Sequence, residues 1–142
     1  MKTLRDIMTT EVESCSPVDN VYEAAVKMKE YDVGAIPICE GQQLLGMITD
    51  RDIVVRGVAE KKPNSTQVTD VMTEQLLTAT PDMSVDEAAK MMAEKQIRRL
   101  PIVENSRLIG IVALGDLAVH KSTADEAGFA LSEISESEEY HH

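Results

Sequence analysis

Near the middle of the chain stands Gly46-Met47-Ile48-Thr49-Asp50-Arg51-Asp52. An apolar run ends there, and a threonine is followed three residues later by an aspartate. Two kinds of chemistry suit that spacing. A carboxylate at the start of a helix can accept hydrogen bonds from both vicinal hydroxyls of a ribose, and charge-assisted bonds of this kind are roughly twice as strong as neutral ones. The Thr49 hydroxyl and the free amides of the same turn suit a phosphate, which the helix dipole also favours. Gly46 permits close approach of backbone or ligand. Thr-x-x-Asp is equally a capping box, which stabilises a helix start with no ligand at all. Spacing alone leaves both readings open. Further on, Gly110-Ile111-Val112-Ala113-Leu114-Gly115-Asp116 keeps the glycine and the acid but carries Ala113 where the hydroxyl stood.

No other set of residues suggests catalysis. His120 is the only histidine inside the fold, matching Arg56, and reads as a surface or interface residue; no Ser/His/Asp or Cys/His arrangement follows. Arg51 and Arg56 read as solvated or interfacial. Cys15 and Cys39 each sit in an apolar or extended stretch and read as buried free thiols. No Cys/His spacing suggests zinc. The net charge of -11 argues against sequence-independent nucleic-acid binding, which needs a basic surface. It leaves room for a small anionic ligand, because salt screens distant charge over roughly 8–10 Å. No apolar run approaches the ~18–20 residues of a membrane span. The first residues lack the apolar core and cleavage site of a signal peptide. A soluble, cytoplasmic protein is expected.

The elements that must position these residues occur twice. Shifted by 64 positions, residues 4–56 align with 68–120 without a gap. Identical pairs include Asp6/Asp70, Met8/Met72, Thr9/Thr73, Pro17/Pro81, Val21/Val85, Met28/Met92, Pro37/Pro101, Gly46/Gly110 and Asp52/Asp116. Two copies of one unit suggest a pseudo-twofold pair in which each covers an apolar face of the other. Each unit opens with an extended stretch (Val12 to Ser16; Leu76 to Thr80) ended by a proline. A helix follows, marked by Asn20-x-x-Glu23 and Ser84-x-x-Glu87 at capping-box spacing. Val21, Ala24, Ala25 and Met28, and their counterparts Val85, Ala88, Ala89 and Met92, form one apolar stripe each. Two short strands come next, Ala35 to Cys39 and Leu44 to Ile48, then Leu100 to Val103 and Leu108 to Val112. Pro37 and Pro101 should mark a strand start or an unpaired edge. A second helix begins near Thr49 or Ala113. The unit is β-α-β-β-α, and the fold class is α+β. The expected organisation is a first repeat over residues 1–60, a linker over 61–67, a second repeat over 68–122 and an acidic tail over 123–142. The tail holds six acids and no Lys or Arg. Ala127, Ala130, Leu131 and Ile134 suit a short docking helix, and Ser135 to His142 a disordered end. His141 and His142 give no metal site.

At this point the chain resembles the CBS domains. Gly-x-x-Thr-x-x-Asp at a strand-to-helix junction is similar to that family's nucleotide motif. Asp6-Ile7-Met8-Thr9, Asp70-Val71-Met72-Thr73, Val33-Gly34-Ala35-Ile36-Pro37-Ile38 and Ile97-Arg98-Arg99-Leu100-Pro101-Ile102 are similar to other parts of its repeat. The resemblance covers roughly residues 2–122 and implies two tandem CBS repeats packed as a pseudo-twofold pair, a Bateman module. Family members bind AMP, ADP, ATP, S-adenosylmethionine or NADH, and some bind nothing; no cofactor is required.

The resemblance further implies that the base sits against the repeat that does not supply the Asp. Thr49 and Asp52 would then face Thr78, Ala79, Thr80, Ile97, Arg98, Arg99 and Pro101. Asp116 would face Ser14, Cys15, Ser16, Val33, Gly34, Ala35 and Pro37. Arg98 and Arg99 would offset a phosphate charge, whereas the missing hydroxyl at Ala113 departs from the family pattern at the second cleft. The expected function is a regulatory, non-enzymatic module sensing an adenine nucleotide or other adenosyl ligand in clefts between the repeats. A homodimer of two pairs in a flat four-repeat disc is expected, with no nucleic acid, no membrane, and a regulated protein as a further partner. The alternative is a ligand-free structural module that dimerises or docks on a partner, which Ala113 favours. CBS pairs also occur inside enzymes such as inosine monophosphate dehydrogenase, but about 20 tail residues cannot replace a catalytic domain. A cation sensor using scattered acids is a weaker reading, since such acids are usually solvated.

Overall fold

A computed structural model describes residues 2–118. His120, the acidic tail with its expected helix at Ala127, Ala130, Leu131 and Ile134, and His141-His142 lie outside the described residues. No helix among the described residues is long and apolar enough to cross a membrane. The chain divides into two compact units. One holds Glu13–Leu76 with Ser106–Leu108. The other holds the residues up to Val12, Leu77–Asn105 and those from Ile109 on.

In the first of these units, helix α2 spans Val21–Tyr31, after a four-residue helix α1 (Leu4–Ile7) that belongs to the other unit. It starts where the sequence marks it. The Asn20 side chain accepts the Glu23 amide at 2.8 Å, and the Glu23 carboxylate accepts the Asn20 amide at 3.1 Å. It stops at Asp32, whose left-handed backbone turns the chain out of the helix. Val21, Ala24 and Met28 face the core, but Ala25 is exposed, so the expected stripe is narrower than its spacing implied. Strands β1 (Ala35–Glu40) and β2 (Gln43–Thr49) pair antiparallel, from Ala35 opposite Thr49 to Glu40 opposite Gln43. Gly41 makes the turn at a φ of 63°, where a side chain would be strained.

Pro37 is the third residue of β1, not its start, and β1 is an outer strand of its sheet, in line with the edge alternative. It is tolerated because neither neighbour needs its missing N–H. Across β2 its partner Met47 bonds the other way, to Thr73. On its free side β1 meets only Cys15, which donates to the Pro37 carbonyl and accepts from the Cys39 amide, each at 2.9 Å. The register of β1 against β2 shifts between Ile38 and Cys39, and both residues are buried. Both cysteines are buried free thiols, as expected, and burial pushes both thiols above their ordinary pKa.

The core of this unit joins Cys15, Val21, Ala24, Met28, Ile36, Ile38 and Ile48 to Val68, Val71 and Met72. The last three come from the opening of the second sequence repeat. They are held by two backbone bonds, Met47 N to Thr73 O at 3.0 Å and Thr73 N to Met47 O at 2.8 Å, and by Arg56, which donates to the Met72 carbonyl at 3.1 Å. The compact unit is therefore not the same stretch of chain as the sequence repeat.

The second unit is built alike. Helix α4 (Val85–Lys95) starts at Ser84, whose hydroxyl accepts the Glu87 amide at 3.1 Å. Glu87 does not return the bond, so this capping box is half formed. Strand β3 (Arg99–Glu104) turns through Asn105 and Ser106, both left-handed, into β4 (Arg107–Ala113). Such a turn matches the right-handed twist of a hairpin. Ala79 bridges β3 as Cys15 bridges β1, donating to Pro101 O at 3.0 Å and accepting from Val103 N at 2.9 Å. Leu4, from the first residues of the chain, is fully buried with Val85, Ala88, Ala89, Met92, Leu100, Ile102, Val112 and Leu117. Thr9 exchanges backbone bonds with Ile111 at 2.9 and 3.0 Å. Each buried Leu, Ile, Val or Met contributes roughly 1.5–3 kcal/mol. The Arg5–Glu104 ion pair is about half exposed on both sides and contributes roughly 0–1 kcal/mol. Apolar packing, not ion pairing, holds this segment.

The close approach explains both glycines before the acid motif. A Cβ at Gly46 would sit 2.7 Å from the Thr73 carbonyl and 2.8 Å from Met72 Sδ. At Gly110 it would sit 2.6 Å from Met8 Sδ and 3.1 Å from the Thr9 carbonyl. Gly46→Ala should therefore destabilise the protein by about 1–3 kcal/mol, the usual cost of overpacking. Gly57→Ala, with open space around its Cβ, should be neutral or stabilising by up to about 1 kcal/mol. Urea unfolding distinguishes the two; equal midpoints would contradict the packing described.

Candidate functional site

Thr49 ends β2 in extended backbone and caps a helix that begins at Asp50. That helix changes its hydrogen-bond spacing along its length: α-helical α3 over Asp50–Asp52, π-helical over Ile53–Gly57, then 3-10 over Val58–Glu60. Asp52 is 9% exposed and is the one charged or polar residue counted as buried among the described residues. The Thr49 hydroxyl accepts the Asp52 amide at 3.0 Å, and Asp52 Oδ2 accepts the Thr49 amide at 3.0 Å. The capping-box reading of the motif is thus correct as structure. It does not exhaust the carboxylate, which has about four acceptor positions. The other oxygen, Oδ1, meets only the Thr73 hydroxyl, at a long 3.4 Å that is repeated to Oδ2. Asp52 is therefore oriented by its own helix and keeps acceptor capacity for a further hydroxyl.

Thr73 was not among the expected site residues. Its signal was the identity Thr9/Thr73 in the opening stretch of each repeat, but nothing in the sequence ties that stretch to the aspartate. Other expected residues fall in the same unit. The Asp50 amide donates to the Gly34 carbonyl at 2.9 Å, fastening the Val33-Gly34-Ala35 segment to the helix start. A Cβ at Gly34 would lie 3.1 Å from Asp50 Oδ2, so only a residue without a side chain passes freely. The Ser14 carbonyl accepts from Lys27 Nζ at 2.7 Å, and Pro37 is buried in β1.

The second unit holds Thr78, Ala79, Thr80, Ile97, Arg98, Arg99, Pro101 and Asp116. Helix α5 spans Leu114–Ala118. The Leu114 amide donates to the Arg98 carbonyl at 2.8 Å, repeating the Asp50–Gly34 bond 64 residues on. Asp116 Oδ2 accepts the Ala113 amide at 3.1 Å, but Ala113 has no hydroxyl to return the bond. The Arg99 guanidinium is half-buried, and its Nε is buried with no hydrogen-bond partner. Burial pushes its pKa below the ordinary value, against the opposing pull of the Asp116 carboxylate. Arg99 thus has an acid of its own unit beside it. Ala79 has its side chain in the core and both backbone groups bonded to β3, which leaves its flanking threonines as the accessible part of that stretch.

The two helix starts make a test that needs no ligand. Thr49→Ala should cost about 1 kcal/mol, the usual loss of a capping hydroxyl. Ala113→Thr should supply the missing cap and stabilise by roughly 0.5–1 kcal/mol. Chemical denaturation in ligand-free buffer reads both; an Ala113→Thr variant less stable than the parent would contradict the geometry.

Known proteins place this geometry. The chain is 51% identical over 138 residues to the uncharacterized protein YlbB of Bacillus subtilis, covering 96% of this chain and 93% of that one. Among solved structures, hypoxic response protein I, crystallised with two coordinated zinc ions, matches at a TM-score of 0.74 and 38% identity over 83% of this chain and 98% of its own. Among the described residues here, no group of three His, Cys, Asp or Glu is arranged to hold a metal. CBSX2 in complex with AMP matches at 0.74 and 26% identity, covering 83% and 94%. The CBS domain pair of MJ0100, in complex with 5′-methylthioadenosine and S-adenosyl-L-methionine, matches at 0.72 and 27% identity, also covering 83% and 94%. The family model for the CBS domain matches twice, over residues 4–57 and 68–121. Each match takes in one hairpin, one acid motif and one opening stretch, and so the chain belongs to the CBS domain family, as a tandem pair of CBS repeats.

Proposed function

We propose that this protein is a non-enzymatic, cytoplasmic regulatory module that senses an adenosyl ligand, and that it works as a homodimer. The observation that carries the proposal is Asp52: a buried carboxylate, fixed in orientation by Thr49, with one oxygen lacking a short hydrogen bond. A buried acceptor left so is costly, about 1–3 kcal/mol, unless a partner arrives. The ligands named for the structural neighbours support an adenosyl group in particular. AMP carries a phosphate, and 5′-methylthioadenosine carries none. What they share is adenine and a ribose diol, and a carboxylate is the side chain that accepts from both diol hydroxyls.

In this reading Thr49 and Asp52 recognise one ribose, and Asp116 offers a second, weaker position without the capping hydroxyl. Gly34 and Ala35, and Thr78 and Thr80, are small enough to lie along a flat base. Arg98 and Arg99 answer a phosphate, as in AMP, ADP or ATP, through planar multi-donor contacts. The buried, unpartnered Nε of Arg99 supports that role.

Ribose recognition should dominate. By calorimetry, 2′-deoxy-AMP should bind at least about fivefold more weakly than AMP, the lower end of an unpaired acceptor's cost. Asp52→Asn should shrink that gap while remaining folded, because Asn also caps. A folded Asp52→Asn that discriminates as well as the parent would reduce Asp52 to a helix-start residue.

The phosphate role is separable. Arg98→Ala combined with Arg99→Ala should weaken ATP by about tenfold or more, as expected for charge-assisted bonds, and adenosine far less. Equal losses for both ligands would remove phosphate recognition from these arginines.

A further inference from the structure

A helix start holds an anion through free backbone amides and the positive end of the peptide dipoles. The helix that carries Asp52 has no such amide left. From Thr49 to Ile53 every amide is bonded within the chain. The Thr49 amide donates to Asp52 Oδ2 and the Asp52 amide to the Thr49 hydroxyl, each at 3.0 Å. The Asp50 amide donates to the Gly34 carbonyl at 2.9 Å, and the Ile53 amide to the Asp50 carbonyl. The remaining amide, that of Arg51, donates to Asp50 Oδ1 at 2.8 Å.

The Asp50 carboxylate thus folds back onto its own helix start. Oδ1 lies on the Arg51 amide, and Oδ2 passes Gly34 so closely that a Cβ there would stand 3.1 Å away. It occupies the place of a phosphate oxygen. Asp50 and Asp52 also set two negative charges in one helical turn, against the dipole that would attract an anion. The expectation that this turn suits a phosphate is corrected by these bonds: of its donors, the Thr49 hydroxyl alone keeps a proton to give. The cations of the same helix do not reverse this. Arg56 donates to the Met72 carbonyl at 3.1 Å. Arg51 is exposed, and a surface charge with no fixed position contributes little in water.

The second repeat is built differently at the same place. Ala113 and Leu114 stand where Thr49 and Asp50 do, and neither side chain can accept an amide. Asp116 is the one acid of that turn, and Arg98 and Arg99 belong to its unit.

We infer that the Asp52 site selects against phosphate. It takes adenosyl compounds whose 5′ substituent is uncharged or cationic, such as a thioether or a sulfonium, over adenine nucleotides, and Asp50 sets that choice. The inference rests on the ribose-binding reading of Asp52 and narrows it. The diol still finds a carboxylate that is 9% exposed and has one oxygen without a short hydrogen bond. A phosphate answered by Arg98 and Arg99 then belongs to a ligand held at Asp116.

Titrations followed by the NMR signals of the Thr49 to Asp52 and Thr73 amides isolate this site from Asp116. Adenosine and 5′-methylthioadenosine should each bind there at least about tenfold more tightly than AMP, the scale of one or two close like-charge contacts in water. Asp50→Asn keeps an acceptor for the Arg51 amide and removes the charge; Asp50→Leu removes both. The AMP deficit should shrink at least about threefold in the first variant and further in the second. Glu60→Gln makes the same charge change farther along the helix and should leave the deficit as it is. In the parent chain the deficit should also shrink as salt is raised. Circular dichroism establishes that the variants are folded. AMP bound at these amides as tightly as adenosine, or a deficit that Asp50→Leu leaves unchanged, overturns the selectivity while the ribose site stands. If adenosine, 5′-methylthioadenosine and AMP all leave these amides unshifted, the ribose site falls with it.

Discussion

Met47 and Thr73 exchange two backbone hydrogen bonds, at 3.0 and 2.8 Å, and they can do so only because the neighbouring residue 46 has no side chain. Much of the unit follows from that approach. It draws Val68, Val71 and Met72 into a core that the first repeat cannot fill alone. It sets the Thr73 hydroxyl against the Asp52 carboxylate. It also places the Met72 carbonyl where Arg56 reaches it from the helix that Asp52 begins. The second unit meets the same constraint with Gly110, Thr9 and Ile111. A glycine whose place beside the acid motif suggests a ligand is first required by a segment distant in the chain.

Within that frame the two acid motifs diverge. Asp52 has a returning hydroxyl on one side and a threonine on the other, and its carboxylate is buried. Asp116 has a single backbone amide and the charge of Arg99. One acid is oriented by neutral hydrogen bonds from both sides, the other by one backbone amide. The first arrangement favours a ligand that brings hydroxyls.

Much of the fold was legible in the sequence because its signals are local. Capping residues at Asn20 and Ser84, left-handed turns around Gly41 and Asn105, and apolar spacing in α2 and α4 all act within a few residues. Thr49 and Asp52 were legible for the same reason. What was not legible depends on contacts far along the chain. The opening stretches pack into the unit of the other repeat, and Pro37 survives mid-strand because Met47 turns to Thr73. Ala25 satisfies the helical periodicity yet faces out, since periodicity locates a stripe but not its edge. The π-helical stretch after Asp52 has no sequence signature, and Thr73 gave only an unexplained identity between repeats.

The claim that Asp52 is a ligand-binding carboxylate, and not only a helix cap, is tested most directly by titrating AMP into the isotope-labelled chain and following backbone amide NMR signals. The account predicts saturable shifts below about 1 mM, a free energy of roughly -4 kcal/mol or better. They should be largest at Thr49 to Asp52 and at Thr73, and Asp52→Ala should abolish them. Amides of Thr49 to Asp52 that stay fixed through that range, or that shift equally in Asp52→Ala, would contradict it.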